Sequence, residues 1–130
     1  MNRSILVRAG ATAVAGLAAV AMATPAHAND DDVIRQGSCA GASDWKLKAS
    51  PEDGRIEVEG EVDSNVTGQK WNWKLLHDGK VSARGSATTT GRSGSFEVRR
   101  LMVDSAGKDR IGFRAKNAKS GEVCRGSLTF

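Results

Sequence analysis

Side chains that could do chemistry are few, and none falls into a catalytic pattern. Histidine, a common general base, occurs only at His27 and His77. His77 precedes Asp-Gly, a turn signal, so we interpret it as a polar loop residue. No serine lies in a G-x-S-x-G motif. Glu57 and Glu59 alternate with apolar residues, which predicts a flat solvated face rather than a glycosidase cleft. We therefore predict no enzyme, no metal site and no cofactor.

The first 28 residues have the pattern of a secretory signal peptide. Arg3 and Arg8 form a basic start, residues 9–23 form an apolar run, and Ala26-His27-Ala28 fits an A-x-A cleavage site. The run is too short and too rich in alanine for a durable membrane anchor. We expect a secreted protein that starts at residue 29, with no transmembrane segment after cleavage and room for one domain.

The two cysteines, Cys39 and Cys124, both lie in the exported part of the chain. An even number of cysteines in an oxidising compartment predicts one disulfide, with two free buried thiols as the alternative. The bond would join the start of the domain to its last strand. On the chain-entropy model, closing so long a loop stabilises a fold by about 4–5 kcal/mol.

Alternating apolar and polar residues predict seven short strands separated by turns, with no run of helical period. The predicted strands are residues 44–50, 55–63, 71–76, 81–87, 95–103, 110–116 and 122–130. Residues 29–37, which contain the acidic triplet Asp30-Asp31-Asp32, are predicted to be a flexible acidic lead-in, with calcium binding by the triplet as the alternative. Residues 38–130 are thus predicted to form an all-β, antiparallel β-sandwich.

The central hairpin carries Trp71 and Trp73, and its loop length sets its register. A two-residue loop would place Trp73 opposite Arg84, whereas the three-residue loop His77-Asp78-Gly79 places it opposite Ala83. A slip of one residue turns a whole face outward, so we favour the three-residue loop. It sets Trp71 opposite Gly85 and requires a left-handed Gly79.

Three further registers follow from loop lengths and from the alternation of side chains. A four-residue loop before residue 55 would pair Lys48 with Glu57 and set Trp45 over Gly60. A change of parity at Arg99-Arg100 predicts a β-bulge. The last four-residue loop, residues 118–121, sets three pairs across the ladder: Ala115 with Cys124, Phe113 with Gly126, and Arg114 with Arg125.

The stretch DRIGFRAKN at residues 109–117, followed by Gly121, resembles the final hairpin of an immunoglobulin-like domain with its A-x-N-x-x-x-G turn. The resemblance implies that Trp71 or Trp73 is the tryptophan of the central strand. It also implies that the strands of Trp71, Phe113 and Cys124 are neighbours. The chain has no tyrosine and hence no tyrosine corner, and Phe113 stands in place of the second core cysteine.

The exported chain as a whole is similar to a group of small actinobacterial secreted proteins of unknown function. The similarity rests on RIEVEGEVD at residues 55–63 and on C-R-G-x-L-T-F at residues 124–130. It implies export and a β-sandwich, and it implies no particular activity.

Charge is unevenly distributed along the exported chain. Residues 29–63 hold ten acidic and four basic residues, whereas residues 64–130 hold five acidic and thirteen basic ones. Immunoglobulin-like strand order would put Lys74, Arg114, Lys116 and Arg125 on one outward face. Two arginines directly across a ladder cost stability, so this face is the candidate binding site, and a merely solvated face is the alternative.

Two hypotheses about function follow from this distribution. The first is a secreted, non-enzymatic module that binds an anionic wall polymer, a glycan or an acidic protein through the basic face. The second is an extracellular protein–protein role, such as an enzyme inhibitor presented on residues 64–69 or 104–109. Nucleic acid is unlikely to be the partner, because no exposed aromatic row offers a stacking platform.

Overall fold

Eight antiparallel strands and no helix make up the described part of the chain, residues 31–130 of the computed structural model. The strands are β1 (Val33–Ser38), β2 (Asp44–Glu52), β3 (Arg55–Asp63), β4 (Lys70–His77), β5 (Lys80–Thr88), β6 (Ser95–Val103), β7 (Arg110–Asn117) and β8 (Val123–Thr129). They form two four-stranded sheets. Sheet A has the order β1-β2-β3-β6 and sheet B the order β5-β4-β7-β8. The predicted all-β sandwich is confirmed.

The predicted signal peptide, residues 1–28, lies outside the described residues. Within residues 31–130, no helix is long and apolar enough to cross a membrane.

Strand β1 is the element that the sequence analysis missed, because residues 29–37 were predicted to be a flexible lead-in. The strand pairs with β2 from Val33 opposite Ala49 to Ser38 opposite Asp44. Most of its side chains are exposed, so it lacks the alternation that marks a half-buried strand. Its pairing therefore depends on the backbone of β2 more than on buried side chains.

The core lies between the two sheets and consists of the inward side chains of both. Trp71 and Phe113 are the two largest side chains that are fully buried. The buried apolar residues are Leu47, Ala49, Ile56, Val58, Val62, Trp71, Trp73, Leu75, Phe96, Val98, Met102, Ile111, Phe113, Ala115, Cys124 and Leu128. Every one of them lies on a strand. The fold is thus held together by one continuous apolar layer.

Two hairpins turn on Asp-Gly pairs, and both registers differ from those predicted. Asp53 and Gly54 have φ of 49° and 79°, and Asp78 and Gly79 have φ of 50° and 86°. Positive φ at both central residues is the type I′ turn that Asp-Gly favours. The predicted loops of four and three residues are therefore wrong, since both loops have two residues. The left-handed conformation of Gly79 is confirmed.

In the first of these hairpins the ladder runs on to Glu52 opposite Arg55, so Lys48 faces Glu59 rather than Glu57. Pro51 was predicted to begin the turn, yet it lies on β2 opposite Ile56. The pairing of β1 with β2 ends at Ala49, so Pro51 has a neighbouring strand on one side only. A proline is tolerated at such a position.

In the second hairpin a register shift between Leu75 and Leu76 adds one residue to the β5 side. Trp73 consequently faces Gly85, and Trp71 faces Ala87. The predicted pairs, Trp73 with Ala83 and Trp71 with Gly85, are wrong by one step along the same face. The extra residue that was predicted in the loop is instead a β-bulge within the ladder.

Aromatic rings lie against four strand glycines, Gly37, Gly60, Gly85 and Gly126, and the rings over Gly60 and Gly85 differ from those predicted. The ring of Trp73 lies on Gly85, where a Cβ atom would come within 2.9 Å of it. The ring of Phe113 lies on Gly60 of the opposite sheet, where the corresponding distance is 2.7 Å. Trp45 covers Gly126, also across the sandwich. Two of the four contacts thus join the sheets, which pairing within a hairpin could not predict.

Strand β6 has no bulge, so the predicted irregularity at Arg99-Arg100 is wrong. Its ladder with β3 is continuous from Ser95 to Val103. Arg100 takes an inward position at the edge of the sandwich, and its Cζ lies 5.1 Å from the centre of the Trp73 ring. Leu101 and Val103 consequently face outward and are 49% and 69% exposed. A cation–π contact replaces the expected apolar residue.

The last hairpin has the predicted register. Ala115 faces Cys124, Phe113 faces Gly126, and Arg114 faces Arg125. In its turn the side-chain oxygen of Asn117 accepts hydrogen bonds from the backbone nitrogens of Lys119 and Ser120. This Asx-type turn accounts for the asparagine of the sequence motif.

The predicted disulfide between Cys39 and Cys124 is confirmed. Cys39 follows β1, the edge strand of sheet A, and Cys124 lies on β8, the edge strand of sheet B. Beside the bond, Glu122 accepts hydrogen bonds from the backbone nitrogens of Gly41 and Ser43. The bond and this carboxylate together close one edge of the sandwich.

We expect the paired substitution Cys39→Ser and Cys124→Ser to lower the free energy of unfolding by about 4 kcal/mol, because the unfolded chain is no longer closed into a long loop. Urea unfolding of residues 29–130 measures this value. A reductant should destabilise the wild-type protein by a similar amount and leave the double variant unchanged. A loss below about 1 kcal/mol would contradict the role given to the bond.

Candidate anion-binding face

The two sheets differ sharply in charge. The strands of sheet A carry six basic and seven acidic residues, whereas those of sheet B carry eight basic residues and no acidic one. The basic residues of sheet B are Lys70, Lys74, Lys80, Arg84, Arg110, Arg114, Lys116 and Arg125. The imbalance seen along the sequence is therefore concentrated on one layer of the sandwich.

Four of these side chains form a line across the outer face of sheet B, which we term the cation row: Arg84, Lys74, Arg114 and Arg125. Arg84 lies opposite Lys74, Lys74 opposite Arg114, and Arg114 opposite Arg125. Each strand of the sheet contributes one cation. Because neighbouring strands lie about 4.8 Å apart, the row spans about 14 Å.

Alternation along the strands explains why the row faces outward. Trp73 and Leu75 flank Lys74 on β4, and both are buried in the core. Phe113 and Ala115 flank Arg114 in the same way. Side chains of successive strand residues point to opposite faces, so burial of the apolar residues directs the cations to solvent.

Among residues 31–130, no carboxylate lies within 4.0 Å of a charged nitrogen of the cation row. Within residues 31–130, every ion pair within 4.0 Å that involves a lysine or arginine lies on sheet A or joins it to Asp32, the residue before β1. There Arg99 contacts Glu57, Glu59 and Glu97, and Lys48 contacts Glu59. Sheet A thus neutralises much of its own charge, whereas sheet B leaves its positive charge to solvent or to a partner.

Two open depressions lie along the two sides of the row. One, of about 610 Å³, is lined beside the cations by residues from all four strands: Ser86, Asn72, Lys116 and Val123. The other, of about 450 Å³, lies over Leu76, Gly112 and Ser127. Guanidinium groups bind carboxylate, phosphate and sulfate with two parallel hydrogen bonds, so three arginines beside such depressions can hold anionic groups.

All four residues of the predicted face, Lys74, Arg114, Lys116 and Arg125, lie on the outer side of sheet B. Three of them belong to the cation row, and Lys116 lies one step away, opposite Asn72 and Val123. Arg84 was missed because the wrong hairpin register set it away from Lys74. Its outward parity between Ser82 and Ser86 is the sequence signal that could have identified it.

Comparisons with known proteins assign no function to this face, so its role is inferred from its geometry. A scan against protein-family models gives no match. A search of curated proteins gives no match either.

A second polar cluster lies at the end of sheet B, where His77 meets the loop before β7. The Nε2 atom of His77 lies 2.6 Å from Oδ1 of Asp109, whose side chain is fully buried. The backbone nitrogen of Ser105 also donates to Oδ1, and that of Arg110 donates to Asp78. His77, predicted to be a plain loop residue, therefore fastens this loop to the sheet.

Among residues 31–130, His77, Asp78 and Asp109 form the one group whose ligand atoms lie close enough together to hold a metal ion, within 4.8 Å of one another. As they stand, the imidazole and the buried carboxylate bond to each other. The arrangement is that of a charge-assisted hydrogen bond, the stronger kind of polar contact.

The pKa of Asp109 lies below its ordinary value. Burial by itself would raise this pKa, but hydrogen bonds from His77 and Ser105 favour the charged carboxylate and outweigh burial. The pKa of Asp104 lies above its ordinary value, because desolvation and the nearby Asp109 carboxylate disfavour its charge.

We expect Arg114→Thr to raise the free energy of unfolding by about 0.5–1 kcal/mol at low salt, because it removes two like-charge contacts across the ladder. Lys116→Thr is the matched control, since it also replaces a cation of β7 by threonine but removes no directly opposed charge. Urea unfolding compares the two variants, and added salt should narrow the difference. An equal change in the free energy of unfolding for both variants would show that repulsion within the cation row does not destabilise the folded protein.

We expect Asp109→Asn to destabilise the protein at neutral pH and to lose this effect in acid. Because the folded pKa of Asp109 is lowered, its contribution is present above the unfolded value, about 3.9, and is lost as the pH falls through the folded value. Urea unfolding between about pH 7 and about pH 3 measures the difference.

Asp104→Asn is the control for this pH series. Because the folded protein disfavours the charge of Asp104, that variant should gain stability at neutral pH and lose the gain in acid. If the difference in the free energy of unfolding between Asp109→Asn and wild type did not change with pH, the lowered pKa of Asp109 would be contradicted.

Proposed function

We propose that this protein is a secreted, non-enzymatic module of immunoglobulin-like architecture that binds an anionic extracellular polymer through the outer face of sheet B. The observation that carries the proposal is the cation row, four aligned positive charges without a counter-ion among residues 31–130. Like charges at this spacing destabilise a sheet. An anionic ligand would turn the same charges into favourable contacts.

Secretion is supported by the leader pattern together with the disulfide. Disulfides persist in oxidising compartments outside the cytosol. The bond between Cys39 and Cys124 fits such a compartment. It would also keep a small domain folded there.

The order of the strands supports the immunoglobulin-like part of the proposal. With β1 set aside, β2, β3 and β6 form one sheet, and β5, β4, β7 and β8 form the other. In the immunoglobulin-like fold family, the sheet that corresponds to β5-β4-β7-β8 places the tryptophan strand beside the last hairpin. Trp71 and Trp73 lie on β4, next to β7 and β8. The additional strand β1 is then a feature of this chain.

A binding role without catalysis is proposed because His77, the one histidine among residues 31–130, hydrogen-bonds to a carboxylate and to no serine, threonine or cysteine that it could activate. His77 bonds to the buried Asp109, and it lies at the end of sheet B rather than in a cleft. The row itself carries only cations, which can hold an anion but offer no general base.

An anionic polymer is favoured over nucleic acid as the partner. Trp71, Trp73 and Phe113 are buried, so they give sheet B no aromatic platform on which bases could stack. The polar side chains beside the row, Ser86 and Asn72, suit hydroxyl-bearing ligands.

A second candidate function, inhibition of an extracellular enzyme, is supported by the loop at residues 64–69. Val66 is 50% exposed at this loop. Its carbonyl accepts hydrogen bonds from the hydroxyls of Ser64 and Thr89, and Thr67 donates to Gly91. A firmly held loop with an exposed apolar residue is the form in which an inhibitor presents itself to a protease.

The test is binding of residues 29–130 to two immobilised polyanions, polygalacturonate and a glycerol-phosphate polymer. We expect the triple variant Lys74→Ser, Arg114→Ser, Arg125→Ser to lose about tenfold in affinity, since three exposed ion pairs contribute about 0.5 kcal/mol each. The matched control, Arg92→Ser, Lys108→Ser, Lys119→Ser, removes the same charge from exposed loops and should bind nearly as the wild type does.

Two results would contradict the proposal. One is binding that survives about 0.5 M salt, because salt screens contacts between exposed charges. The other is an equal loss of affinity in the two triple variants, which would show that binding depends on the net charge of the protein and not on the cation row. Inhibition of a protease that disappears in Val66→Asp would favour the second candidate instead.

A further inference from the structure

We infer that the ligand is a linear, hydroxyl-bearing polyanion that lies across the strands of sheet B and places one anionic group on each strand. This inference rests on the proposed function and adds to it the direction and the repeat of the ligand. It starts from the register, which sets Arg84, Lys74, Arg114 and Arg125 directly opposite one another.

The longest line of adjacent cations on the outer face of sheet B runs across the strands. On β4, the outward neighbours of Lys74 are Asn72 and Leu76, and on β8 those of Arg125 are Val123 and Ser127. On β5, Arg84 lies between two outward serines. Only β7 has a second cation beside the row, Lys116. A ligand along β7 would meet three cations, Arg110, Arg114 and Lys116, and one along any other strand would meet fewer, whereas a ligand across the sheet meets four.

The surface beside the row has the shape that such a ligand needs. The larger depression is lined by Ser86 of β5, Asn72 of β4, Lys116 of β7 and Val123 of β8, so it follows the row over the full width of the sheet. Side-chain hydroxyl and amide groups in this depression can bond to hydroxyls of the ligand. An extended chain could thus rest beside the cations with its anionic groups turned toward them.

The spacing of the row selects the class of ligand. Anionic groups that match it recur about every 5 Å, the distance between strands. Duplex DNA carries a charge about every 1.7 Å of its axis and is far stiffer. Strand twist also rotates successive cations by roughly 20–25° about the row, which a flexible single chain can follow. Uronic acid polymers and polyol-phosphate polymers share the required chemistry.

The experiment keeps the composition and net charge of the face and changes only its alignment. The exchange variant carries Arg84→Ser with Ser86→Arg, and Arg125→Ser with Ser127→Arg, so that two cations leave the row but stay on the outer face. The matched control exchanges two neighbours in an exposed turn, Arg92→Ser with Ser93→Arg. Urea unfolding first establishes that both variants are folded.

The probes are oligomers of galacturonate and of glycerol phosphate, from one to eight repeats. For wild type we expect affinity to rise steeply up to about four repeats and then to level, because each added group occupies one more strand. The exchange variant should lose about fivefold for the longer oligomers and keep wild-type affinity for the monomer. Tighter binding of the galacturonate series would identify carboxylate as the anionic group of the ligand, and tighter binding of the glycerol phosphate series would identify phosphate.

Failure of the inference and failure of the proposed function give different results. The exchange variant and the neutralised triple variant separate the two claims. If the exchange variant binds long oligomers as tightly as the wild type and the triple variant does not, the inferred alignment of the ligand with the cation row is wrong. The proposal that the basic face binds anions would then still stand. If wild type binds neither series, the proposed function falls together with the inference.

Discussion

Trp71 and Trp73 are buried side by side on the central strand β4, and small residues on both neighbouring strands make room for them. Trp73 lies between Gly85 and Ala115, and Trp71 lies between Ala87 and Asn117. Because strand side chains alternate between faces, the burial of two indoles fixes which residues of sheet B face solvent. A slip of one residue would bury Lys74 and expose both rings.

The same constraint generates the cation row. With the outward face of β4 fixed by the tryptophans, the bulge between Leu75 and Leu76 sets Arg84 opposite Lys74, and the pairing with β7 sets Arg114 opposite it. The last hairpin then adds Arg125 opposite Arg114. Sheet A shows the opposite arrangement, since Arg99 and Lys48 lie against carboxylates. Like charges also oppose each other on sheet A, where Glu61 lies opposite Glu97, but there Arg99 contacts Glu97 as a counter-ion, whereas the cation row has no counter-ion among residues 31–130.

The ends and edges of the sandwich are held by polar and covalent contacts, because the apolar core does not reach them. The disulfide joins the two edge strands β1 and β8 on one side. On the other side Arg100 covers the exposed rim of Trp73. At one end His77 and the buried Asp109 fasten the loop before β7. These contacts join sheet B to sheet A at its two edges and to the loop before β7 at one end.

The sequence by itself determined the fold class, the disulfide, the last hairpin and the outward direction of Lys74, Arg114, Lys116 and Arg125. Each of these depends on local alternation, on a count of cysteines or on one turn, and such signals are contained in short stretches. The sequence did not determine loop lengths at the Asp-Gly turns, because a type I′ turn with a bulge and a three-residue loop bury the same face. It also missed β1, whose exposed side chains carry no periodic signal.

Only the tertiary structure decided the features that depend on contacts between distant segments. The covering of Gly60 by Phe113 and of Gly126 by Trp45 joins the two sheets, so neither hairpin alone specifies it. Arg84 joined the row only when the bulge at Leu75 and Leu76 set the register. The pairing of His77 with Asp109 spans 32 residues and two strands. Sequence periodicity reports which way a side chain points, and packing between elements decides which residue it meets.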